Sequence, residues 1–277
     1  MTAPPYQPLP PPVPYYGAKG RLAPAIVRLL PAHQHYVEPF CGSLAVLLAK
    51  PPSARETVND LDGELVTFWR VLRDRPADLE EAVRLTPHAR AEHELTYQPT
   101  TDELETARRV FVKLTQGRAG QMTRTGWRYR IGIDTDSNSI QSYLDRFRRR
   151  IDPAAQRLWR VSLECLPALD IIRRYDHPDV LFYVDPPYLA STRAGTGYRI
   201  EMPHPEQHRE LATALRASRA AVVLSGYPSE LYDQLYQGWY VEEIPTQTVQ
   251  GGAGKATREV LWSNRPLGGR VQHTLWE

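Results

Sequence analysis

Cysteine is scarce in this sequence of 277 residues, in which Cys41 and Cys165 are the only two. One pair cannot form the framework of bridges that stabilises small secreted proteins, and no CxxC spacing suggests zinc. His204 and His208 stand four residues apart without a third ligand nearby in the sequence. We therefore predict no metal site, and we expect a protein of the reducing cytoplasm.

Long apolar runs are missing as well. The longest, Leu44–Ala49 and Ala220–Leu224, are far shorter than the roughly 20 residues that a membrane-spanning helix needs, so we expect no membrane association. The first fourteen residues contain seven prolines and lack the basic and apolar parts of a signal peptide. They predict a disordered or polyproline-like lead-in.

The net charge is only +2, which by itself does not indicate a polyanionic partner. The hydrophobic content of 42% is enough to bury one large core, with or without a smaller inserted lobe. A monomer is the default expectation for such a chain.

Short apolar runs alternate with amphipathic ones, which predicts an α/β fold with a Rossmann-like sheet. Val180–Val184 is a continuous apolar run, typical of a strand buried on both faces. The other predicted strands are Tyr36–Phe40, Glu56–Asn59, Ala220–Ser225 and Glu259–Ser263. Predicted helices are a short one from Leu44, then Leu61–Leu72 and Glu206–Ala217.

The stretch between Arg73 and Asp152 has a different character, because it is polar and contains no buried-strand run. Helix-like segments, Glu103–Leu114 and Ile140–Ile151, flank a polar loop at Thr115–Asp136. We predict a mostly helical lobe, 73–152, inserted into a main domain made of 1–72 plus 153–277.

Asp185-Pro186-Pro187-Tyr188 follows the predicted strand Val180–Val184 directly. Ligands of open α/β sheets bind at the carboxyl ends of strands, so this tetrapeptide lies where a site is expected. The Asp185 carboxylate and the Pro186 carbonyl only accept hydrogen bonds, and together they could hold both hydrogens of an exocyclic amine. Tyr188 could stack on the base that carries it. The alternative is a proline turn that merely closes a strand.

Two further motifs lie at predicted strand ends. The segment VEPFCGS from Val37 to Ser43 is a strand that enters a tight glycine turn and then a helix, which allows close approach of backbone to a ligand. Val58-Asn59-Asp60 places an acid at the end of the next strand, where a carboxylate can bind ribose hydroxyls. Alternatively, Asp60 caps the helix that follows it.

These motifs occur in a defined order, and that order resembles the Dam-like family of N6-adenine DNA methyltransferases. The matching segments are Tyr15-Tyr16-Gly17-Ala18-Lys19, VEPFCGS, VNDLD and DPPY. The resemblance implies a seven-stranded methyltransferase sheet, S-adenosyl-L-methionine as cofactor and double-stranded DNA as substrate. It implies cofactor-binding roles for Tyr15, Lys19, Glu38, Phe40, Gly42, Asp60 and Asp185, and catalytic roles for Asp185, Pro186, Pro187 and Tyr188.

One position departs from the family pattern. Relatives often carry an acid that holds the cofactor adenine near the start of the helix before the DPPY strand, and Pro167 stands there in this chain. Glu164 or Asp170 could substitute, and Glu164 is the one nearer a strand end.

The polar loop and the helix after it are the predicted DNA-binding elements. Arginine can pair with guanine edges or phosphates, and glutamine with adenine. The residues predicted to contact DNA are Arg118, Gln121, Arg124, Trp127 and Arg128 in the loop, and Arg146 and Arg149 on the helix. A solvated basic face is the alternative interpretation.

Three other functions stay open at this point. A cytosine-N4 methyltransferase would use a similar loop, since its target is also an exocyclic amine. A catalytically silent DNA-binding protein could keep the same fold, although the intact DPPY argues against it. A protein-glutamine methyltransferase usually begins this loop with Asn and would not need an arginine-rich insert.

Overall fold

The computed structural model describes residues 6–129, 139–189, 198–245 and 258–268. Within these ranges the strands are β1 (His35–Glu38), β2 (Arg55–Asn59), β3 (Val161–Glu164), β4 (Val180–Val184), β5 (Ala221–Gly226), β6 (Tyr240–Pro245) and β7 (Arg258–Ser263). They form one sheet in the order β3-β2-β1-β4-β5-β7-β6. β1 to β5 pair in parallel, and β7 runs antiparallel between β5 and β6. The predicted α/β fold with a seven-stranded sheet is confirmed.

Helices connect these strands and cover both faces of the sheet. They are α1 (Ala23–Leu29), α2 (Ala45–Ala49), α3 (Gly63–Asp74), α4 (Pro76–Arg84), α5 (Arg90–Leu95), α6 (Glu103–Gln116), α7 (Ile140–Arg148), α8 (Ile151–Leu158), α9 (Ala168–Arg174), α10 (Pro205–Ala217) and α11 (Glu230–Leu235). Alternate residues of a strand point to opposite faces, so each central strand supplies two cores. On β4, for example, Leu181 and Tyr183 pack with helices α1 to α3, and Phe182 and Val184 pack with α9 and α10.

Strands that are buried on both faces were the easiest to predict. β4 has the predicted bounds, and the other predicted strands differ by one or two residues at an end. The two edge strands, β3 and β6, were not predicted. Most residues of both are exposed or half-buried, so neither carries an apolar signal of the kind that marks β4.

The helices between β2 and β3 pack onto the main core. Val110, Phe111 and Leu114 of α6 belong to the same hydrophobic cluster as Phe68 and Trp69 of α3. A separately inserted lobe is therefore not confirmed, and the division into 1–72, 73–152 and 153–277 stays a prediction. The predicted loop also begins too early, since α6 continues through Thr115 and Gln116, which are buried. Residues 130–136 of that loop lie outside the described ranges.

The proline-rich lead-in packs against the core in its described part, residues 6–14. The Tyr6 hydroxyl and the Leu9 amide both donate to the Leu48 carbonyl, at 2.7 and 2.9 Å. Val13 is buried, and Arg150 donates to the Pro11 carbonyl at 2.9 Å. The expectation of disorder is therefore wrong for residues 6–14, because prolines that leave few backbone donors can still supply apolar surface and acceptors. Residues 1–5 lie outside the described ranges.

The described residues contain no helix that is both long and apolar enough to cross a bilayer. Among the same residues, no three His, Cys, Asp or Glu side chains are grouped as metal ligands. His208 is buried, and its two ring nitrogens lie 2.9 Å from the Tyr232 hydroxyl and the Met202 carbonyl oxygen. The cysteines are both free thiols.

Candidate active site

A cavity of about 250 Å³ opens at the carboxyl ends of β1, β2 and β4, where the crossovers of an α/β sheet leave room for a ligand. The predicted residues that line it come from four separate parts of the sequence. Predicted residues that line it are Tyr15, Lys19, Glu38, Phe40, Gly42, Asp60, Asp185 and Pro187.

The glycine turn after β1 forms one wall of the cavity. Gly42 has a φ of 45°, in the left-handed region that favours glycine, and a Cβ there would approach the Tyr15 ring to 3.1 Å. Its N–H donates to Asp60 at 3.0 Å, and its carbonyl accepts from the Trp69 indole at 3.0 Å. The turn is therefore held by side chains from β2 and α3, and Tyr15 packs directly against it.

Asp60 is a backbone-bound carboxylate at the end of β2. Its two oxygens accept from the Gly42 and Asp62 amides, each at 3.0 Å. The cap of α3 is Asp62, which accepts from the Glu64 and Leu65 amides. Desolvation raises the pKa of Asp60 to about 6. The alternative interpretation of Asp60 as the helix cap is wrong.

Glu38, the last residue of β1, is a second acid on the cavity wall. Its side chain is buried and accepts from the Tyr36 hydroxyl at 2.5 Å and from the Leu47 amide at 3.0 Å. Burial raises the pKa of Glu38 to about 8, because these two neutral donors only partly replace water.

Lys19 and Asp185 form an ion pair across the cavity. The Lys19 Nζ atom lies 2.8 and 2.7 Å from the two carboxylate oxygens of Asp185, and it also donates to the Gly17 carbonyl at 3.2 Å. Lys19 is only 5% exposed. A cation this buried needs a partner, and Asp185 is that partner.

The DPPY segment leaves β4 as predicted. Asp185 and Pro187 line the cavity, whereas Pro186 and Tyr188 are buried behind it. The Tyr188 ring packs against Tyr227, with centroids 4.6 Å apart, and the Lys19 ammonium lies 4.9 Å from its centroid. Asp185, Lys19 and Tyr188 thus form one contact group at the end of the central strand.

The structure places neither candidate acid for the cofactor adenine at the cavity. Glu164 does not line it, and its carboxylate accepts from the Tyr175 hydroxyl at 2.7 Å. Asp170 pairs with Arg173 at 2.6 Å on the outside of α9. Pro167 lines the cavity instead, together with Ala168 and Leu169, so this wall is apolar.

A segment after the DPPY loop forms a wall that sequence analysis missed. Tyr198 and Arg199 line the cavity, and Arg199 forms ion pairs with Asp62 and with Glu64, the latter at 2.6 Å. No recognisable motif surrounds these residues, and only the chain path brings them to the start of α3.

The arginine-bearing loop after α6 lies beside the opening motif. The Gly120 carbonyl accepts from the Tyr16 amide at 2.8 Å, and Gly120 has a φ of 61°. A Cβ at Gly120 would approach the Pro14 backbone to 2.9 Å. The loop is therefore attached close to the residues that line the cavity.

Among the described residues, guanidinium groups of this loop lie over aromatic rings and form no ion pair. Arg118 and Arg124 are exposed, at 5.8 Å from the Tyr129 centroid and 4.8 Å from the Tyr97 centroid. Arg128 and Trp127 are half-buried. Arg128 lies over the Tyr143 ring. Trp127 stacks on His88, and Arg90 lies over the Trp127 ring. Gln121 is half-buried as well.

The arginines of the α7 region divide into two kinds. Arg146 and Arg149 are exposed. Arg148 pairs with Glu80 at 3.1 Å and with Asp145 at 3.3 Å, and Arg150 donates to the Pro11 carbonyl. Arg146 and Arg149 therefore present charge to solvent, although the Arg146 guanidinium also lies over the Tyr143 and Phe147 rings.

Comparison with known proteins places this cavity in a family. The model of the D12 class of N6 adenine-specific DNA methyltransferases matches residues 15–250, from the opening motif through DPPY and beyond. The chain belongs to this family. It therefore methylates adenine in DNA, and S-adenosylmethionine is the methyl donor that the family implies.

This methyltransferase also resembles individual proteins. It is 25% identical over 271 residues to the Type II methyltransferase M1.LlaDCHI of Lactococcus lactis subsp. cremoris, with 90% of this chain and 93% of that protein covered. The structure of yhhF from Escherichia coli aligns with 12% identity and a TM-score of 0.33, covering 92% of this chain and 90% of that one. The rRNA methyltransferase aviRa from Streptomyces viridochromogenes aligns with 17% identity and a TM-score of 0.34, covering 96% and 88%.

Proposed function

We propose that the cavity at the strand ends binds S-adenosylmethionine and that DPPY holds the target adenine beside it. The donor set fits this cofactor, which carries a cationic sulfonium and an ammonium group. Among the described residues, acids outnumber bases on the cavity wall: the basic ones are Lys19, paired with Asp185, and Arg199, paired with Asp62, and the acidic ones are Glu38, Asp60, Asp62, Asp185, Glu201 and Glu210. The apolar wall at Pro167 suits the face of a purine ring.

Each wall has a proposed task in holding the cofactor. Asp60 accepts hydrogen bonds from the ribose hydroxyls. Glu38 accepts from the Leu47 amide, and this hydrogen bond fixes the position of α2 relative to the glycine turn. Tyr15 and Phe40 supply apolar contact, and Gly42 allows backbone to approach the ligand. Glu164 has no proposed role, because it lies outside the cavity and is bonded to Tyr175.

Catalysis rests on acceptors placed at the reacting amine. The bound cofactor supplies an activated methyl group, so little acid–base chemistry is needed. Asp185 and the Pro186 carbonyl accept hydrogen bonds from the two N6 hydrogens, which increases the electron density on the nitrogen. The adenine must leave the duplex to reach them. Tyr188 is buried behind the cavity, so its proposed part is to support this end of the site. Positioning of this kind accounts for most of the proposed rate enhancement.

DNA recognition is proposed for arginines of the loop after α6 and of α7. Arg118, Arg124 and Arg128 are candidates for base edges, with Gln121 and Trp127 beside them, because their loop is attached next to the cavity. Arg146 and Arg149 carry exposed charge that suits phosphates.

The observation that carries this proposal is the Lys19–Asp185 pair, which joins the opening motif to DPPY across the cavity. The test is incubation of genomic DNA with labelled S-adenosylmethionine, followed by nucleoside analysis of wild type and Asp185→Ala. The proposal expects N6-methyladenine from wild type alone. Label on cytosine N4, or equal activity of the variant, would contradict it.

A further inference from the structure

Glu259 is a buried acid that no motif assignment includes. It lies near the start of β7, and its side chain is only 3% exposed. It does not line the cofactor cavity. A carboxylate in such a place loses its hydration, so it needs strong partners to be retained.

The partners of Glu259 are residues of the proposed catalytic group. One oxygen, Oε1, accepts from the Tyr188 hydroxyl at 2.7 Å and from the Ser225 hydroxyl at 2.5 Å. The same oxygen lies 3.8 Å from the Lys19 Nζ atom. Glu259 is therefore connected both to the last residue of DPPY and to the cation that pairs with Asp185.

The contact with Tyr188 limits where its ring can lie. The hydroxyl is bound by Glu259, while Tyr227 and the Lys19 ammonium pack against the ring. With both its end and its face contacted, the ring has little freedom to rotate. Any base that stacks near it meets a surface that is already oriented.

The contact with Lys19 connects Glu259 to Asp185. Lys19 donates to both oxygens of Asp185, which competes with donation from an adenine amine. Glu259 is a second anion within ion-pair distance of the same ammonium. The Lys19 ammonium is therefore shared by two acids, at 2.7 Å from Asp185 and 3.8 Å from Glu259.

We propose that Glu259 is a positioning residue of the methyl-transfer site, which orients Tyr188 and shares Lys19 with Asp185. This inference rests on the proposed role of DPPY in catalysis. Glu259 touches neither substrate nor cofactor in this scheme, and it acts through the two side chains that it binds.

The test uses Glu259→Gln, which keeps shape and one acceptor oxygen but removes the charge. We expect kcat to fall by about 10- to 100-fold with the Kd for S-adenosylmethionine within about twofold of wild type, because misplacement of a reacting group costs rate rather than cofactor binding. Glu242→Gln, the same change at an exposed position of β6, is the matched control and should leave kcat unchanged. A wild-type kcat in Glu259→Gln, or an equal loss of kcat and cofactor affinity, would overturn the inference.

A second variant approaches the same hydrogen bond from its other end. Tyr188→Phe removes the hydroxyl but keeps the ring, so it should lower kcat less than Glu259→Gln, and the double variant should equal Glu259→Gln alone. Additive losses of kcat in the double variant would overturn the link between the two residues. If Glu259→Gln fails to fold, a wild-type kcat in Tyr188→Phe would overturn it instead. Asp185→Ala, measured in parallel, distinguishes failure of the proposed function from failure of this inference. If Asp185→Ala is active, the proposed function of DPPY is wrong. If Asp185→Ala is inactive and Glu259→Gln is fully active, only the inference about Glu259 is wrong.

Discussion

The cavity at the sheet edge and the arginine-bearing loop after α6 hold their charged side chains in different ways. In the proposed catalytic group, which consists of Asp185, Lys19, Tyr188 and Glu259, the charged side chains of Lys19 and Glu259 are 5% and 3% exposed, and each has a partner in an ion pair or hydrogen bond. In the loop, Arg118 and Arg124 are exposed and lie over aromatic rings. Charges in the first group are preorganised by burial, whereas those in the loop remain free to meet a polyanion.

This difference predicts different consequences of mutation. Removing a buried, partnered charge leaves other groups unpaired and should alter rate or cofactor affinity. Removing an exposed arginine leaves the fold intact and should alter DNA binding, with a strong dependence on salt.

The largest effect is expected for Asp185→Ala. It removes an acceptor at the reacting amine, so we expect kcat to fall at least ~100-fold while DNA binding partly survives. Rates under saturating cofactor and DNA measure this directly. Asp170→Ala, which removes an exposed acid on α9, is the control. A rate of methyl transfer near that of wild type in Asp185→Ala would show that Asp185 and its partners are not the catalytic residues.

The next largest effect is expected for substitution of single loop arginines. Arg118→Ala, Arg124→Ala or Arg128→Ala should relax sequence choice at one base pair, with a loss of about 1–3 kcal/mol of discrimination. Mapping methylated sites across a genome measures this. If activity falls equally at every site, the loop contacts only the DNA backbone.

A smaller effect is expected for Asp60. Asp60→Asn keeps an acceptor for the Gly42 and Asp62 amides but loses charge toward the ribose, and the Kd for S-adenosylmethionine should rise by roughly tenfold. The ionised form is the better acceptor, so wild-type affinity should weaken as pH falls through the pKa of about 6, and the variant should lack this change. Calorimetry between about pH 5 and about pH 7, roughly one unit on either side of the transition, tests both points. Unchanged affinity would leave Asp60 only a structural role.

The smallest effect is expected for the α7 region. Arg146→Ala and Arg149→Ala should each weaken binding to all DNA sequences similarly and lower the salt slope by about one unit. Arg148→Ala should change the slope less, because this side chain is already paired with Glu80 and Asp145. Equal salt slopes for all three variants would show that the exposure of an arginine side chain does not decide whether it contacts phosphate.

Much of the site could be predicted because its motifs lie at the ends of buried strands. β4 carries a strong apolar signal, and β1 and β2 each end in an acid-bearing motif. Parallel strands end at the same edge of a sheet, so Glu38, Asp60 and Asp185 had to lie near one another. The packed course of residues 6–14 and the continuous core through α6 could not be predicted in this way. Both depend on partners distant in sequence, such as Leu48 for Tyr6.

The sequence by itself determined the α/β class, the ordered motifs and the chemistry that these motifs allow. Local apolar patterns and a few residue types at strand ends are sufficient for that. Only the tertiary structure decided which acid caps α3, that Glu164 lies outside the cavity, and that Glu259 contacts Tyr188 from 71 positions away. Such contacts depend on the crossing of strands and on which neighbours exclude water, and no spacing along the chain encodes either.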